Sequence, residues 1–225
     1  MKDGKLVAII AVRKGSQRIH KKNLKPFCDT TLLDIKIDQL KKIKIIDEII
    51  VNSDWDEALQ IAKTKNVSIF KRDKYFSSSN INGSIFHKHI AENTPEKYKY
   101  IMYAPPTSPL IKIKTIENAI NTFFNNNENY DSLVTTSLCK SFLWKNNKPL
   151  NYELNNTPRT QELPDIHILN HAICINTRNN QIQNSSLVGK NPLLYKISNM
   201  EALDIDEFLD FEIAEFLYKK YYSNN

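Results

Sequence analysis

The apolar run Leu6–Val12 is the feature that most constrains the fold, because it stops abruptly at a strongly basic loop, residues 13–25. An uninterrupted apolar run of this kind predicts a strand that is buried on both faces, as in a parallel sheet. The basic loop has Gly15 and Ser16 at its tip. Its cationic side chains are Arg13, Lys14, Arg18, Lys21, Lys22 and Lys25. Ligands of open α/β sheets bind outside the carboxyl ends of the strands, so charge collected there predicts a polyphosphate ligand.

Strand and helix patterns alternate along the rest of the chain. The sequence predicts further strands over residues 48–52, 67–70, 100–103, 132–138, 172–176 and 193–197. It predicts helices over residues 55–65, 82–91, 113–124 and 207–222. Short connections between these elements predict an α/β fold with a mostly parallel sheet and helices on both faces.

Residues 140–164 interrupt this alternation. They show no helical period and mix asparagine, lysine and proline with scattered apolar side chains, which predicts a protruding, hairpin-like excursion. The chain has 225 residues, enough for one α/β domain with a substantial core, and no repeat or low-complexity linker divides it. We therefore predict a single domain over residues 1–225, with an excursion over residues 140–169 inside it.

Charge and cysteine content narrow the range of partners. The formal net charge of +6 suggests nucleic-acid binding, but the lysines are spread over the chain, which favours solvated helix faces instead. The three cysteines lack metal-ligand spacing, and their odd number argues against a disulfide framework, so we expect a cytoplasmic protein with reduced thiols. No apolar run approaches the roughly 20 residues of a membrane span. We expect neither a nucleic-acid partner nor a membrane.

Two acids precede the predicted C-terminal helix. Asp204 and Asp206 are two residues apart, so in an extended segment both carboxylates face one side. Taken alone, Asp206 is better explained as the N-cap of the helix. Together with a phosphate-binding loop, the pair favours a Mg²⁺ ion held through oxygen ligands and water, as in Mg²⁺–nucleotide sites.

Two further polar segments are candidates for ligand contact. Pro105–Leu110 contains three prolines and predicts a rigid loop at the ligand-binding edge, although a structural turn explains it equally well. Arg159, Gln161 and Asn170 carry groups that recognise a carboxylate- and hydroxyl-bearing ligand, and an ordinary polar loop is the simpler alternative. His171 is expected to be packed or solvent-facing rather than catalytic.

The motifs together resemble the acylneuraminate cytidylyltransferase family, which comprises CMP-sialic acid synthetases and their relatives for other nonulosonic acids, with CMP-Kdo synthetases more distant. The similar segments follow the order of the family motifs and span nearly the whole chain. They are residues 12–23 (Val-Arg-Lys-Gly-Ser-Gln-Arg-Ile-His-Lys-Lys-Asn), 53–54 (Ser-Asp), 106–110 (Pro-Thr-Ser-Pro-Leu), 170–176 (Asn-His-Ala-Ile-Cys-Ile-Asn) and 204–211 (Asp-Ile-Asp-Glu-Phe-Leu-Asp-Phe).

The resemblance implies a Rossmann-like nucleotidyltransferase that transfers CMP from CTP to the anomeric hydroxyl of a nonulosonic, sialic-acid-like sugar acid and releases pyrophosphate. It implies Mg²⁺, a role in cell-surface glycan biosynthesis and, usually, a homodimer in which the excursion reaches over the partner's acceptor site as a lid. One alternative keeps the fold with another nucleotide or another acceptor, a Kdo-like acid or a sugar phosphate. The other is a non-enzymatic nucleotide- or nucleic-acid-binding module, which the paired acids disfavour.

The predicted site residues fall into four groups. The resemblance implies that Arg13 and Lys22 hold the CTP phosphates and stabilise the departing pyrophosphate, and these two residues are predicted, with Asp206, to be catalytic. The predicted nucleotide-binding residues are Arg13, Gly15, Ser16, Lys22, Asn23 and Arg72. The predicted metal ligands are Asp204 and Asp206. The predicted substrate-binding residues are Pro105, Thr107, Ser108, Arg159, Gln161 and Asn170.

Five positions depart from the family motifs. Gln17 replaces a lysine in the basic loop, and Pro105 stands where a substrate-contacting glutamine is common. The pair 168–169 (Ile-Leu) replaces Arg-Pro, and His171 replaces a glycine. The first departure concerns the nucleotide and the others concern the acceptor, so the sequence leaves the acceptor sugar and the general base open.

Overall fold

The computed structural model describes residues 3–222 and is organised around one seven-stranded sheet; the outermost ends of the predicted domain lie outside the described residues. The strands are β1 (Lys5–Val12), β2 (Pro26–Phe27), β3 (Thr30–Thr31), β4 (Glu48–Ser53), β5 (Ser68–Lys71), β6 (Tyr98–Tyr103), β7 (Ser132–Cys139), β8 (Trp144–Lys145), β9 (Lys148–Pro149), β10 (Ile166–Thr177) and β11 (Pro192–Lys196). The helices are α1 (Leu32–Lys41), α2 (Asp56–Thr64), α3 (Gly83–Glu92), α4 (Ile113–Asn126), α5 (Arg178–Asn184) and α6 (Phe208–Tyr221).

The order of strands in the large sheet is β11-β7-β10-β6-β1-β4-β5. Strand β1 pairs in parallel with β4 and β6, β4 with β5, and β7 with β11. Within the described part of this sheet, β10 alone runs antiparallel to its neighbours, β6 and β7. The predicted mostly parallel sheet is confirmed, with one reversed strand that the residue pattern does not reveal.

The side chains of β1 alternate between two hydrophobic layers. Its even-numbered residues, Leu6 to Val12, pack into the cluster that includes side chains of α1, α2 and α4. Val7 and Ile9 pack on the opposite face with Ile90 and Ala91 of α3. Helices therefore cover both faces of the sheet, as predicted, and β1 directs its carboxyl end to the edge where the basic loop begins.

Two helices lie where the sequence pattern gave no helix. Helix α1 follows the β2–β3 hairpin, and α5 follows β10. Each has a threonine N-cap whose hydroxyl accepts a backbone N–H bond at 3.1 Å, from Asp34 to Thr31 and from Asn180 to Thr177. Among the helices of residues 3–222, none combines the length and the apolarity needed to cross a membrane.

The excursion contains the hairpin β8–β9, as its composition predicts. The two residues of its turn, Asn146 and Asn147, adopt left-handed backbone conformations with φ of 51° and 62°, which asparagine tolerates better than most residues. Several large apolar side chains of the excursion are exposed. They are Phe142, Trp144, Leu150 and Leu154. Its role in dimerisation and as a lid stays a prediction.

A completely buried lysine ties α1 to the proline loop, residues 105–110. Lys36 Nζ donates to the Ser108 carbonyl at 2.9 Å. One turn further along α1, Gln39 Nε2 donates to the carbonyls of Pro109 and Ile111 at 2.8 and 3.0 Å. Burial lowers the pKa of Lys36 to about 7, because the low-dielectric interior disfavours its charged form.

Lys36 should make stability rise with pH between its folded pKa of about 7 and its unfolded value of 10.5. In that window the unfolded chain binds the proton and the folded chain does not, which gives a slope of about 1.4 kcal/mol per pH unit at most. We expect Lys36→Met to remove this slope from the free energies of unfolding measured in urea between about pH 7.5 and 9.5. Exposed Lys42, just after the same helix, gives the control Lys42→Met. A pH-independent difference between wild type and Lys36→Met would contradict the assignment.

Candidate active site

Two adjoining clefts open at the carboxyl ends of β1 and β6. The first has a volume of about 500 Å³ and is enclosed by the basic loop, the start of α3, the proline loop and Asp206. The second, of about 450 Å³, lies between the proline loop, β10 and Asp204. Tyr103, Pro105 and Thr107 line both clefts, so ligands bound in the two would lie side by side.

The basic loop and the acidic pair meet in the first cleft. Lys22 Nζ donates to the backbone carbonyl of Ile205 and lies 3.8 Å from Asp206 Oδ1. Arg18 forms an ion pair with the same carboxylate oxygen at 2.8 Å. Desolvation lowers the pKa of Lys22, and the negative charges of Asp204 and Asp206 partly counteract that effect.

Packing of Ile205 fixes the position of the two acids. The Ile205 side chain is completely buried in a cluster with Phe27 and Phe211, so the flanking carboxylates project away from the core. Glu207, not Asp206, is the N-cap of α6, and it forms a capping box with Asp210. The alternative that Asp206 serves only as a helix cap is therefore wrong, and its carboxylate faces the first cleft.

Asp204 differs from its neighbour in environment. It lines the second cleft, whereas Asp206 lines the first. Burial raises the pKa of Asp204, a hydrogen bond with the Thr107 side chain opposes the shift, and the like charge of Asp206 adds to it. Its Oδ1 is buried and has no hydrogen-bond partner within residues 3–222.

The donor set at the acids suits a cation shared with a phosphate ligand. The unpaired Oδ1 of Asp204 and the carboxylate of Asp206, whose side chain is 52% exposed, offer hard oxygen ligands. Over the described stretch, no three histidine, cysteine or acidic side chains group closely enough to hold a metal ion. The remaining ligands of a Mg²⁺ ion here would be water and phosphate oxygens, which Mg²⁺ commonly keeps.

Arg72 lines the first cleft but is already bonded to protein. Its Nη1 donates to Asn52 Oδ1 at 2.9 Å, its Nη2 to the Val12 carbonyl at 2.6 Å, and its Nε to Ser77 Oγ at 2.8 Å. The guanidinium also lies 5.0 Å from the centre of the Phe86 ring. These bonds join the ends of β1 and β4 to the far wall of the cleft, so Arg72 supports the site that the basic loop opens into.

Most other predicted nucleotide-binding residues line the first cleft. Arg13, Ser16 and Asn23 do so, and the buried Asn23 Oδ1 has no partner in the described chain. Gly15 lies outside the cleft lining, does not have a positive φ, and a Cβ at this position would meet no described atom within 4 Å. The fold itself therefore does not require glycine there.

The predicted substrate-binding residues separate into three sets. Pro105, Thr107 and Asn170 line the second cleft; Asn170 Oδ1 accepts from Thr135 Oγ1 at 2.7 Å, and its buried Nδ2 lacks a partner in residues 3–222. Ser108 is completely buried and lies in neither cleft, because its carbonyl faces Lys36 in the core. Two others lie on the exposed excursion, outside both clefts. They are Arg159, bonded to Glu162, and Gln161.

Sequence reasoning missed several cleft residues. Tyr103 and Phe86 look like ordinary core residues, and no motif marks His87. The signal for Tyr103 is its place as the last residue of β6, at the ligand-binding edge. Burial raises the pKa of Tyr103 to about 12, so its hydroxyl stays protonated at neutral pH.

A mostly parallel sheet that brings a cationic loop and paired acids to its carboxyl edge is typical of nucleotide-binding enzymes. Comparison with known proteins gives the particular family. Residues 7–222 match the family model described as cytidylyltransferase, and the chain belongs to that family. It is a CTP-dependent nucleotidyltransferase with a Rossmann-like fold, and the resemblance inferred from the motifs is confirmed.

Similar proteins match nearly the whole chain. Post-translational flagellin modification protein B of Campylobacter coli is 26% identical over 226 residues, which cover 96% of this chain and 95% of that protein. Pseudaminic acid cytidylyltransferase of Campylobacter jejuni is 24% identical over 224 residues, covering 96% and 97%. The structure of CMP:2-keto-3-deoxy-manno-octonic acid synthetase complexed with CTP superposes with a TM-score of 0.69 at 11% identity, covering 96% of this chain and 99% of that one, which shows a shared fold.

Gly15→Ala should separate ligand binding from folding. A methyl group at this open position should change the free energy of unfolding by no more than about 0.5 kcal/mol. It would obstruct a triphosphate that approaches the loop backbone, so we expect CTP affinity, measured calorimetrically, to fall by about tenfold. Unchanged CTP affinity together with unchanged stability would mean that the phosphates do not contact the tip of the loop.

Proposed function

We propose that the enzyme transfers CMP from CTP to the anomeric hydroxyl of a nonulosonic sugar acid and releases pyrophosphate. The observation that carries this proposal is the convergence of Lys22, Arg18 and Asp206 in a cleft that shares a wall with a second cleft. The first cleft suits the nucleotide and the second suits the acceptor. The name of the pseudaminic acid cytidylyltransferase, similar over 96% of this chain, supports the same acceptor class.

The reaction is an in-line displacement at phosphorus. The anomeric oxygen forms a bond to the α-phosphorus of CTP, and the bond from that phosphorus to the bridging oxygen of the β-phosphate breaks. Arg13 and Lys22 would hold the phosphates and offset the charge that develops on the leaving pyrophosphate. Asp204 is our candidate for the group that accepts the hydroxyl proton, because its carboxylate lines the second cleft.

Asp204 and Asp206 would also hold the Mg²⁺ ion that we propose as cofactor. When bound, the ion would neutralise phosphate charge and polarise the phosphoryl group under attack. The support is the chemistry of the donors: one buried carboxylate oxygen without a partner and one exposed carboxylate beside the phosphate-binding loop. Arg18, which pairs with Asp206 at 2.8 Å, would then turn to the phosphates.

We further propose a homodimer that works in the cytoplasm. Arg159 and Gln161 lie outside both clefts of their own chain, so they could contact an acceptor only in a partner's site. The exposed Phe142 and Trp144 on the same excursion offer apolar surface for such a contact. The odd number of cysteines, three, fits reduced thiols in a reducing compartment.

A panel of nucleotides and acceptors tests the proposed reaction. We expect Mg²⁺-dependent pyrophosphate release with CTP and a nonulosonic acid, tested with sialic, legionaminic, pseudaminic and Kdo acceptors, and loss of release on chelation. The apolar lining of the second cleft by Ile168, Leu169 and Leu187 favours acceptors with acyl and methyl groups. Turnover only with UTP or GTP would mean that the enzyme uses another nucleotide. Turnover only with a sugar phosphate would mean that it acts on another class of acceptor.

Lys22→Met should slow the reaction far more than a neighbouring change. Loss of a preorganised charge donor costs on the order of 2–4 kcal/mol of barrier, or about 30- to 1,000-fold in kcat. Lys21→Met is the matched control, because Lys21 lies on the same loop but faces Glu57 at 3.9 Å and lines neither cleft. Steady-state kinetics that give both variants the same kcat within about threefold would remove Lys22 from the proposed mechanism.

A further inference from the structure

The second cleft contains a histidine in a backbone conformation that favours glycine. His171 lies within β10 but has a φ of 53°, in the left-handed region. Side chains with a Cβ are disfavoured there, so the position costs folding free energy that glycine would avoid. Such an outlier at the rim of a ligand cleft suggests that the imidazole has a function that outweighs the cost.

A β-bulge produces this conformation. Between the pairs Leu169–Thr136 and Cys174–Val134, four residues of β10 face the single residue Thr135 of β7. The Thr135 hydroxyl fills the gap in the ladder: it donates to Asn170 Oδ1 at 2.7 Å and accepts from the Ile173 N–H at 3.0 Å. The bulge thereby turns Asn170 and His171 toward the second cleft, which both residues line.

The His171 ring is oriented by a buried thiol. Its Nδ1 lies 3.3 Å from Cys174 Sγ. Burial raises the pKa of the Cys174 thiol, so the sulfur keeps its proton at neutral pH and can donate it toward Nδ1. A neutral imidazole that accepts at Nδ1 carries its own proton on Nε2, and that N–H is then the donor His171 can offer to a ligand in the second cleft.

The second cleft otherwise lacks cations for an acidic acceptor. No lysine or arginine of the described chain lines it, and the pair Ile168–Leu169 contributes apolar side chains. Asp204 adds a negative charge to the lining of this cleft. The neutral donors that remain include His171 Nε2 and the unpaired, buried Nδ2 of Asn170, two N–H groups on adjacent residues. Two such donors match the two oxygens of a carboxylate.

We propose that His171 is a specificity-determining residue that donates a hydrogen bond from Nε2 to the carboxylate of the sugar-acid acceptor, beside the amide of Asn170. This inference rests on the proposed function, because it assigns a contact within the acceptor site. It makes the acceptor carboxylate, rather than the sugar hydroxyls, the group that His171 selects.

The test compares the acceptor acid with its methyl ester, using the acid that gives the highest turnover with the wild-type enzyme. His171→Gly suits the left-handed backbone, so the variant should fold with a melting temperature at least as high as the wild type. We expect the KM of this variant for the acid to rise by about tenfold, while its KM for CTP stays unchanged and its KM for the ester changes little. The preference for the acid over the ester should therefore fall by about tenfold. His171→Asn retains an N–H donor and tolerates this backbone, and it should restore part of the discrimination.

Asn66→Gly is the matched control, because Asn66 has a φ of 55° and lies outside both clefts. Asn66→Gly places a glycine at another left-handed position that does not contact the acceptor. This variant should therefore keep the wild-type preference for the acid over the ester. Equal loss for acid and ester in His171→Gly, or no loss for either, would overturn the inference while the proposed function stands. Absence of wild-type turnover with every sugar acid and CTP would overturn both.

Discussion

The contact between Lys22 and the segment around Ile205 is the interaction on which the site depends. It joins residues 183 positions apart, the basic loop after the first strand and the acids before the last helix. Packing holds this contact in place, because Ile205 is completely buried and its N–H donates to the Thr107 carbonyl at 2.9 Å. One docking event therefore brings together the loop, the acids and the proline loop, and neither cleft is complete before the C-terminal segment is in place.

Burial of charge prepares this site for an anionic ligand. Lys22, Asp204 and Arg72 are all partly or largely withdrawn from water. Lys22 and Arg72 donate to backbone carbonyls, and the Thr107 side chain and the charge of Lys22 favour the charged form of Asp204. Groups fixed in this way need little reorganisation when a triphosphate arrives, which is the main source of electrostatic catalysis in enzymes. The buried bonds of Arg72 to β1 and β4 give the cleft a rigid wall, whereas exposed Arg18 can exchange Asp206 for phosphate.

The two clefts differ in how they obtain specificity. The first relies on charge, which suits a polyphosphate and is insensitive to the detail of the ligand. The second has an apolar side and a few polar groups set by the bulge in β10, an arrangement that discriminates by shape and by unpaired hydrogen-bond donors. The departures from the family motifs at Ile168, Leu169 and His171 all lie in this second cleft, so the chain differs from the family pattern mainly where an acceptor would bind.

The sequence by itself determined the buried first strand, the basic loop, the mostly parallel sheet and the acidic pair, because each of these features follows from residues that are close together in the chain. Prediction from the sequence failed where contacts between distant residues determine the structure. Lys36 and Gln39 are polar residues that are buried against the proline loop, so the residue pattern does not reveal the helix to which they belong. The reversed direction of β10 and the burial of Ser108 are equally invisible in a residue pattern. Only the tertiary structure decided that Glu207 caps the last helix and leaves Asp206 to the cleft, since that choice follows from how Ile205 packs.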